Sequence, residues 1–176
     1  MLILSICCLI VAADQVTKFL VRAHMQPGDL VPVVPNFFNI SHVTNTGAAW
    51  GILSGFSNVL IVLSIVVLVL LVGFRRHFLT DTLMHRAATG LMIGGIVGNL
   101  IDRVRLGYVV DFVDLYWGRR HFPSFNVADA AICVGVGIYI DNGSSNFLIH
   151  HNVSWNNQDS AIRLNTPSTD NRAYNN

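Results

Sequence analysis

The chain has 176 residues, 52% of them hydrophobic and only 12% charged, and the apolar residues gather in long blocks separated by single polar ones. That is membrane-protein composition, not that of a water-soluble domain. The ten acidic residues are all Asp against eleven Lys plus Arg, and a net charge of +1 without any basic stripe leaves no basis for a nucleic-acid partner.

The first apolar segment, residues 1–21, is interrupted by Asp14 and Lys18. No basic stretch precedes it and no convincing cleavage site follows, so it reads as a retained helix instead of a secretory signal. Cys7, Cys8 and Cys133 are odd in number, lack ligand spacing and sit in apolar runs, which predicts small buried hydrophobes. The stretch "GDLVPVVPNFFNISHVTNTGAAWGIL" is too polar and Pro-rich to span a bilayer and too apolar for a free loop. Its β-branched and aromatic residues predict short strands forming a platform on the membrane surface, able to cover a site.

Three further apolar segments follow at 59–74, 87–101 and 127–140. Spanning the hydrocarbon core takes roughly 20 helical residues, so four transmembrane helices are expected, the last of them marginal. Arg75, Arg76 and Arg86 lie in the short connector between the second and third segments, which places that connector and both termini in the cytoplasm. Residues 22–58 and 102–126 then face outward, and Asp14, Asp111 and Asp129 converge near the outer interface. Trp50, Tyr108, Tyr116 and Trp117 are expected to be interfacial anchors, and Gly94, Gly95 and Gly98 to permit close helix contact.

Two Asp residues at the border of a low-dielectric region can divide acid and base roles, because like charges sharing a site retain one proton between them. The ionised member draws a proton from a water that attacks a peptide carbonyl, and the protonated member hydrogen-bonds the developing oxyanion. Taken singly, each Asp has a simpler explanation: a helix cap for Asp129, a solvated charge for Asp111, and for Asp14 an ion pair with Lys18 one turn away. Asn45 and Asn99 can hold substrate backbone or orient an Asp, or simply join helices, and Arg103 can pair with Asp102 or another carboxylate, or snorkel to the interface.

The pieces "DQVTK" at 14–18, "NTGAAW" at 45–50, "GGIVGNLIDR" at 94–103, "VVDF" at 109–112 and "FNVAD" at 125–129, in that order, resemble the lipoprotein signal peptidase (signal peptidase II) family over residues 1–140. The resemblance implies an aspartic endopeptidase of the bacterial inner membrane, multi-pass and monomeric, with its active site near the extracytoplasmic face. It implies Asp111 and Asp129 as the catalytic pair, with Asp14, Lys18, Asn45, Gly47, Asn99, Arg103, Asn126 and Ala128 in supporting or substrate-binding positions. The implied substrates are diacylglyceryl-modified prolipoproteins, cut before the lipid-bearing Cys. Membrane lipids are the other implied partners, and neither metal nor cofactor is called for. Globomycin blocks the family's site. Asp114 stays outside the catalytic pair because the matching motif ends at "VVDF", and the stretch "DLYWGRRHF" is expected to be a loop closing over the peptide.

After Ile140 the chain turns Asn-rich, and residues 141–176 resemble a coil of a right-handed parallel β-helix; "NFLIHHN" and "DNRAYNN" end at Asn152 and Asn176, 24 residues apart. The expected architecture is therefore an all-α polytopic membrane domain at 1–140, with a small extracytoplasmic β platform, followed by an unrelated fusion fragment. His150 and His151, adjacent on a strand, would point to opposite faces and make no metal site. The rival reading is a catalytically impaired membrane remnant, or an assembly or fusion product, with only structural or binding capacity.

Overall fold

The computed structural model describes residues 1–48, 54–78, 82–141, 148–149 and 172–173. Its main body holds four helices, α1 (Leu2–His24), α2 (Ser57–Phe78), α3 (Leu83–Leu106) and α4 (Val127–Asp141), and four strands, β1 (Leu30–Val34), β2 (Phe38–Asn45), β3 (Val109–Trp117) and β4 (Arg120–His121). The first three apolar segments widen by a few residues at their ends, and the fourth is nearly unchanged.

Burial runs opposite to that of a soluble protein. The buried stripe of α1 is Asp14, Lys18 and Val21, while Leu4, Leu9, Val16, Phe19 and Leu20 face outward. On α2, Val59, Val62, Leu63, Ile65, Val66, Val69, Leu70 and Val72 are exposed in the same way. Three of the six largest fully buried side chains are Lys18, Asn126 and Asp14. So large an apolar exterior around a charged interior is stable only where lipid, not water, surrounds it. Among the described residues α1 alone qualifies as a span by length and composition; the apolar stretches Ser57–Gly73 and Val127–Tyr139 are shorter.

α3 is the central helix, packing most extensively against α4 and α1. Thr82 caps its start by accepting from the His85 N–H, and Gly107, at φ 82°, ends it in the left-handed conformation that glycine adopts without strain. Gly95 lets α4 approach closely: a Cβ there would run into the carbonyl oxygen of Ala128. This bears out close helix contact at the "GGIVG" glycines. The cysteines differ from expectation, since Cys8 and Cys133 are exposed and Cys7, whose backbone lies against Gly94, is only half-buried.

The sheet has the order β1-β2-β3-β4, all antiparallel. α1, α3 and α4 all meet it at one end of the bundle, since β1 follows α1, β3 follows α3 and α4 follows β4. The β platform is thus present, but it is larger than the sequence suggested. The stretch expected to be a closing loop is instead the outer part of β3 and its hairpin with β4. A nine-residue strand was hard to see in "VVDFVDLYW" because two Asp interrupt its apolar residues. Both are buried in the fold, and they lie three residues apart, on opposite faces.

Beyond the bundle, β5 (Leu148–Ile149) and β6 (Arg172–Ala173) pair in parallel, Leu148 with Arg172 and Ile149 with Ala173. That is the 24-residue spacing visible in the sequence. The β-helix resemblance finds no support. His150 and His151 lie outside the described residues, as does Trp50.

Candidate active site

The site grows from the polar stripe of α1. Lys18 Nζ lies 2.9 Å from Asp14 Oδ2 and 3.1 Å from Asp102 Oδ2, and it donates to Asn99 Oδ1 at 2.9 Å. A lysine 2% exposed needs such neighbours, because an unpaired buried charge costs several kcal/mol. Asp14 also accepts from the Ala128 N–H at 3.0 Å, which ties α1 to the start of α4. Gln15 spans the same seam, its amide donating to Asp102 Oδ1 at 3.0 Å and to the Gly98 carbonyl at 3.2 Å.

Asn99 turns this cluster toward the two aspartates. Its carbonyl is held by Lys18, so its Nδ2 faces Asp129 and donates to Oδ1 at 2.7 Å. Asn126, just before α4, accepts from the Asp129 N–H at 3.0 Å while Asp129 Oδ2 accepts from the Asn126 N–H at 3.2 Å. This reciprocal pair is a capping box. The Asn126 Nδ2 donates to Asp111 Oδ1 at 2.7 Å. One residue therefore joins both carboxyl groups, holding Asp111 on β3 through its side-chain amide and Asp129 on the first turn of α4 through its backbone N–H.

A second line of support comes from β2. Asn45 Nδ2 donates to Asp111 Oδ2 at 3.0 Å, the Gly47 N–H donates to Asn45 Oδ1 at 2.9 Å, and Arg103 Nη2 donates to the Gly47 carbonyl at 3.1 Å. Arg103 also feels the charges of Asp129, Asp111 and Asp102. Asp111 is 2% exposed, and burial, reinforced by the negative charge of Asp129, pushes its carboxyl up to about 7 against the pull of Asn45, Asn126 and Lys18. Asp129 is only half-buried. The arrangement can keep one proton between two carboxyls and present the more open one to a water.

All ten residues singled out in the sequence lie in this one network. Asp14 does form the ion pair with Lys18, and Asp129 does belong to a helix cap, but both also feed the site; Asp111 is not a solvated charge. The sequence pairing of Arg103 with Asp102 fails, because neighbours on a helix diverge by about 100°: Asp102 turns to Lys18 and Arg103 to Gly47. Asp102 and Gln15 are the members not anticipated. The signal for Asp102 was its place three residues after Asn99, on the same face of α3. Asp114 sits across β3 from Asp111, held by Asn39 Nδ2 at 2.7 Å and His121 Nδ1 at 2.8 Å.

A polar interior with two linked carboxyls, inside helices whose outer faces are apolar, defines a membrane enzyme. Two solved structures of bacterial membrane enzymes obtained by the in meso method share the fold, with TM-scores of 0.71 and 0.68. Each is 41% identical and covers 78% of this chain, and the chain covers 84% and 89% of theirs. The profile of signal peptidase (SPase) II matches residues 6–142. A lipoprotein signal peptidase of Syntrophotalea carbinolica is 46% identical over 142 residues, covering 79% of this chain and 88% of the relative. One from Moorella thermoacetica is 41% identical over 128 residues, covering 73% and 83%. The chain belongs to the signal peptidase II family and is an aspartic-type signal peptidase.

Proposed function

We propose that the protein cleaves the signal peptide of diacylglyceryl-modified prolipoproteins before the lipid-bearing Cys, using Asp111 and Asp129 as its catalytic pair. The observation that carries this is Asn126, which donates to both carboxyls at the meeting of β3 and α4, to Asp111 through its side-chain Nδ2 and to Asp129 through its backbone N–H. Asp111, the more buried, keeps the shared proton and donates it to the scissile carbonyl oxygen as negative charge develops there. Asp129, the more open, takes a proton from the attacking water; the tetrahedral adduct then collapses with proton delivery to the leaving amide nitrogen. Asn45, Asn99, Asn126 and Arg103 orient these groups and the substrate backbone, while Asp14, Lys18, Gly47 and Ala128 fix the frame.

The reading carries a topology. All four helices cross the inner membrane, with the Arg75, Arg76 and Arg86 end in the cytoplasm and the sheet and active site at the extracytoplasmic face. The functional unit is one chain in contact with lipids, its membrane domain ending near residue 140. Residues 141–176 are a β-helix-like fusion fragment outside it, in keeping with a family match that stops at 142.

The test is cleavage of a diacylglyceryl-modified lipobox peptide by the purified full-length chain, with and without globomycin. Asp111→Asn and Asp129→Asn should each lower turnover by at least about 1,000-fold while membrane insertion is kept, as expected for groups that act as a unit. Unchanged turnover in either variant removes that residue from the chemistry.

A further inference from the structure

The end of the sheet remote from Asp111 has no role in the site. Trp117 is six residues along β3 from Asp111, about 20 Å at strand rise. The β3–β4 turn places Gly118 at φ 62° and pairs Trp117 with Arg120 and Tyr116 with His121. The β1–β2 turn lies against it: the Tyr116 N–H donates to the Phe37 carbonyl at 3.0 Å, and the Asn36 N–H donates to the Tyr116 hydroxyl at 2.7 Å. Two hairpin turns therefore form a single tip.

That tip is apolar and basic together. Trp117 is 83% exposed, Phe122 56%, Phe37 54% and Val34 44%. Arg119 and Arg120 are exposed and make no ion pair among the described residues. The acid of this region, Asp114, is buried and taken up by Asn39 and His121, whose ring stacks on Tyr116 at 5.2 Å. These contacts brace the tip against β2 without neutralising it.

We infer that this tip, Trp117, Arg119 and Arg120 with Phe37 beside them, is a docking surface for the anionic phosphate headgroups of the leaflet under the sheet. The inference rests on the membrane-peptidase reading. Charge complementarity selects the occupant: two free guanidinium groups fit phosphate oxygens, and an indole beside them fits the headgroup level, where aromatic rings collect. Continuity does so too, since the sheet is joined to the ends of three helices, among them α1 with its apolar outer face. A sheet standing upright on those ends would hold Trp117 in water. The inference therefore has the sheet lying across them, with the tip on lipid and the strand bearing Asp111 over the bundle.

The full-length chain is reconstituted in vesicles of phosphatidylcholine, alone or mixed with phosphatidylglycerol, with bromine on the acyl chains near the glycerol. The share of tryptophan emission due to Trp117 is the difference between wild type and Trp117→Phe. Its quenching should be at least about fivefold stronger in the mixed vesicles, the worth of one arginine at an anionic surface, and R119Q/R120Q should remove the difference. Equal quenching in both lipids, or none in either, overturns the inference. Cleavage by R119Q/R120Q in neutral micelles should equal wild type; a raised KM there overturns it in favour of a surface for substrate peptide. Failure of the peptidase reading would register separately, as absent cleavage by the wild-type chain.

Discussion

Asp111 and Asp129 both accept amide donors, and the burial of Asp111 beside the charge of Asp129 sets the pH behaviour. Asp111 is pushed up to about 7 by burial and by the charge of Asp129. The proposed mechanism needs one proton on the pair, so kcat/KM should fall as pH rises through about 7, approaching tenfold per unit beyond it. A pH–rate profile flat from 6 to 9 would contradict this. Stability carries the same sign: a carboxyl raised on folding binds its proton more tightly in the folded state, so the contribution is present below about 4 and is lost as pH rises toward about 7. Asp111→Asn should therefore flatten the pH dependence of the thermal midpoint in detergent over that window. The two aspartates were legible in the sequence because a carboxylate beside an apolar run is costly without a purpose. Gln15 was not, because its partners Gly98 and Asp102 lie more than 80 residues away on α3.

At the level of elements, the seam between α3 and α4 positions Asp129, and small residues set its width. A Cβ on Gly95 meets the Ala128 carbonyl, which is backbone and cannot rotate aside. Ala128 is also the residue whose N–H is bonded to Asp14. Gly95→Ala should thus displace the first turn of α4 and with it Asp129, costing about 1–3 kcal/mol of stability and, for a shift of about 1 Å at the reacting groups, roughly 100-fold in turnover. Gly137 lies on the same helix with nothing within 4 Å of its Cβ. Gly137→Ala should leave turnover unchanged and raise the melting temperature slightly through helix propensity. Unfolding curves and initial rates on the two variants separate packing from propensity. Helix existence and close glycine contacts could be read from hydrophobic blocks and the "GGIVG" spacing. The strand carrying Asp111 could not: its burial comes from pairing with β2, about 70 residues earlier, and from helices beneath it, neither of which leaves a local period.

At the scale of the molecule, the tension lies between a family-like site and a short last helix. α4 has 15 residues, about 22 Å at helical rise, against a hydrocarbon core of about 30 Å. Its start is held firmly, through the Asn126–Asp129 capping box and the bond from Ala128 to Asp14, while past Asp141 the chain turns to Asn, Gly and Ser, residues that hydrocarbon does not accept. On the proposed topology, a helix pinned at one interface and short at the other would thin the bilayer or drag polar backbone inward, each at a fraction of a kcal/mol per Å of mismatch. The strain acts on the element that carries Asp129. Replacing residues 142–176 with about eight apolar residues and a basic end should therefore raise the yield of folded protein extracted from membranes and the thermal midpoint in detergent. It should also raise turnover per folded molecule if mismatch tilts α4. A gain in yield with unchanged turnover would place the strain beyond the capping box. No gain in either would mean that the 15-residue helix already matches its bilayer and that the Asn-rich segment imposes no load on the site.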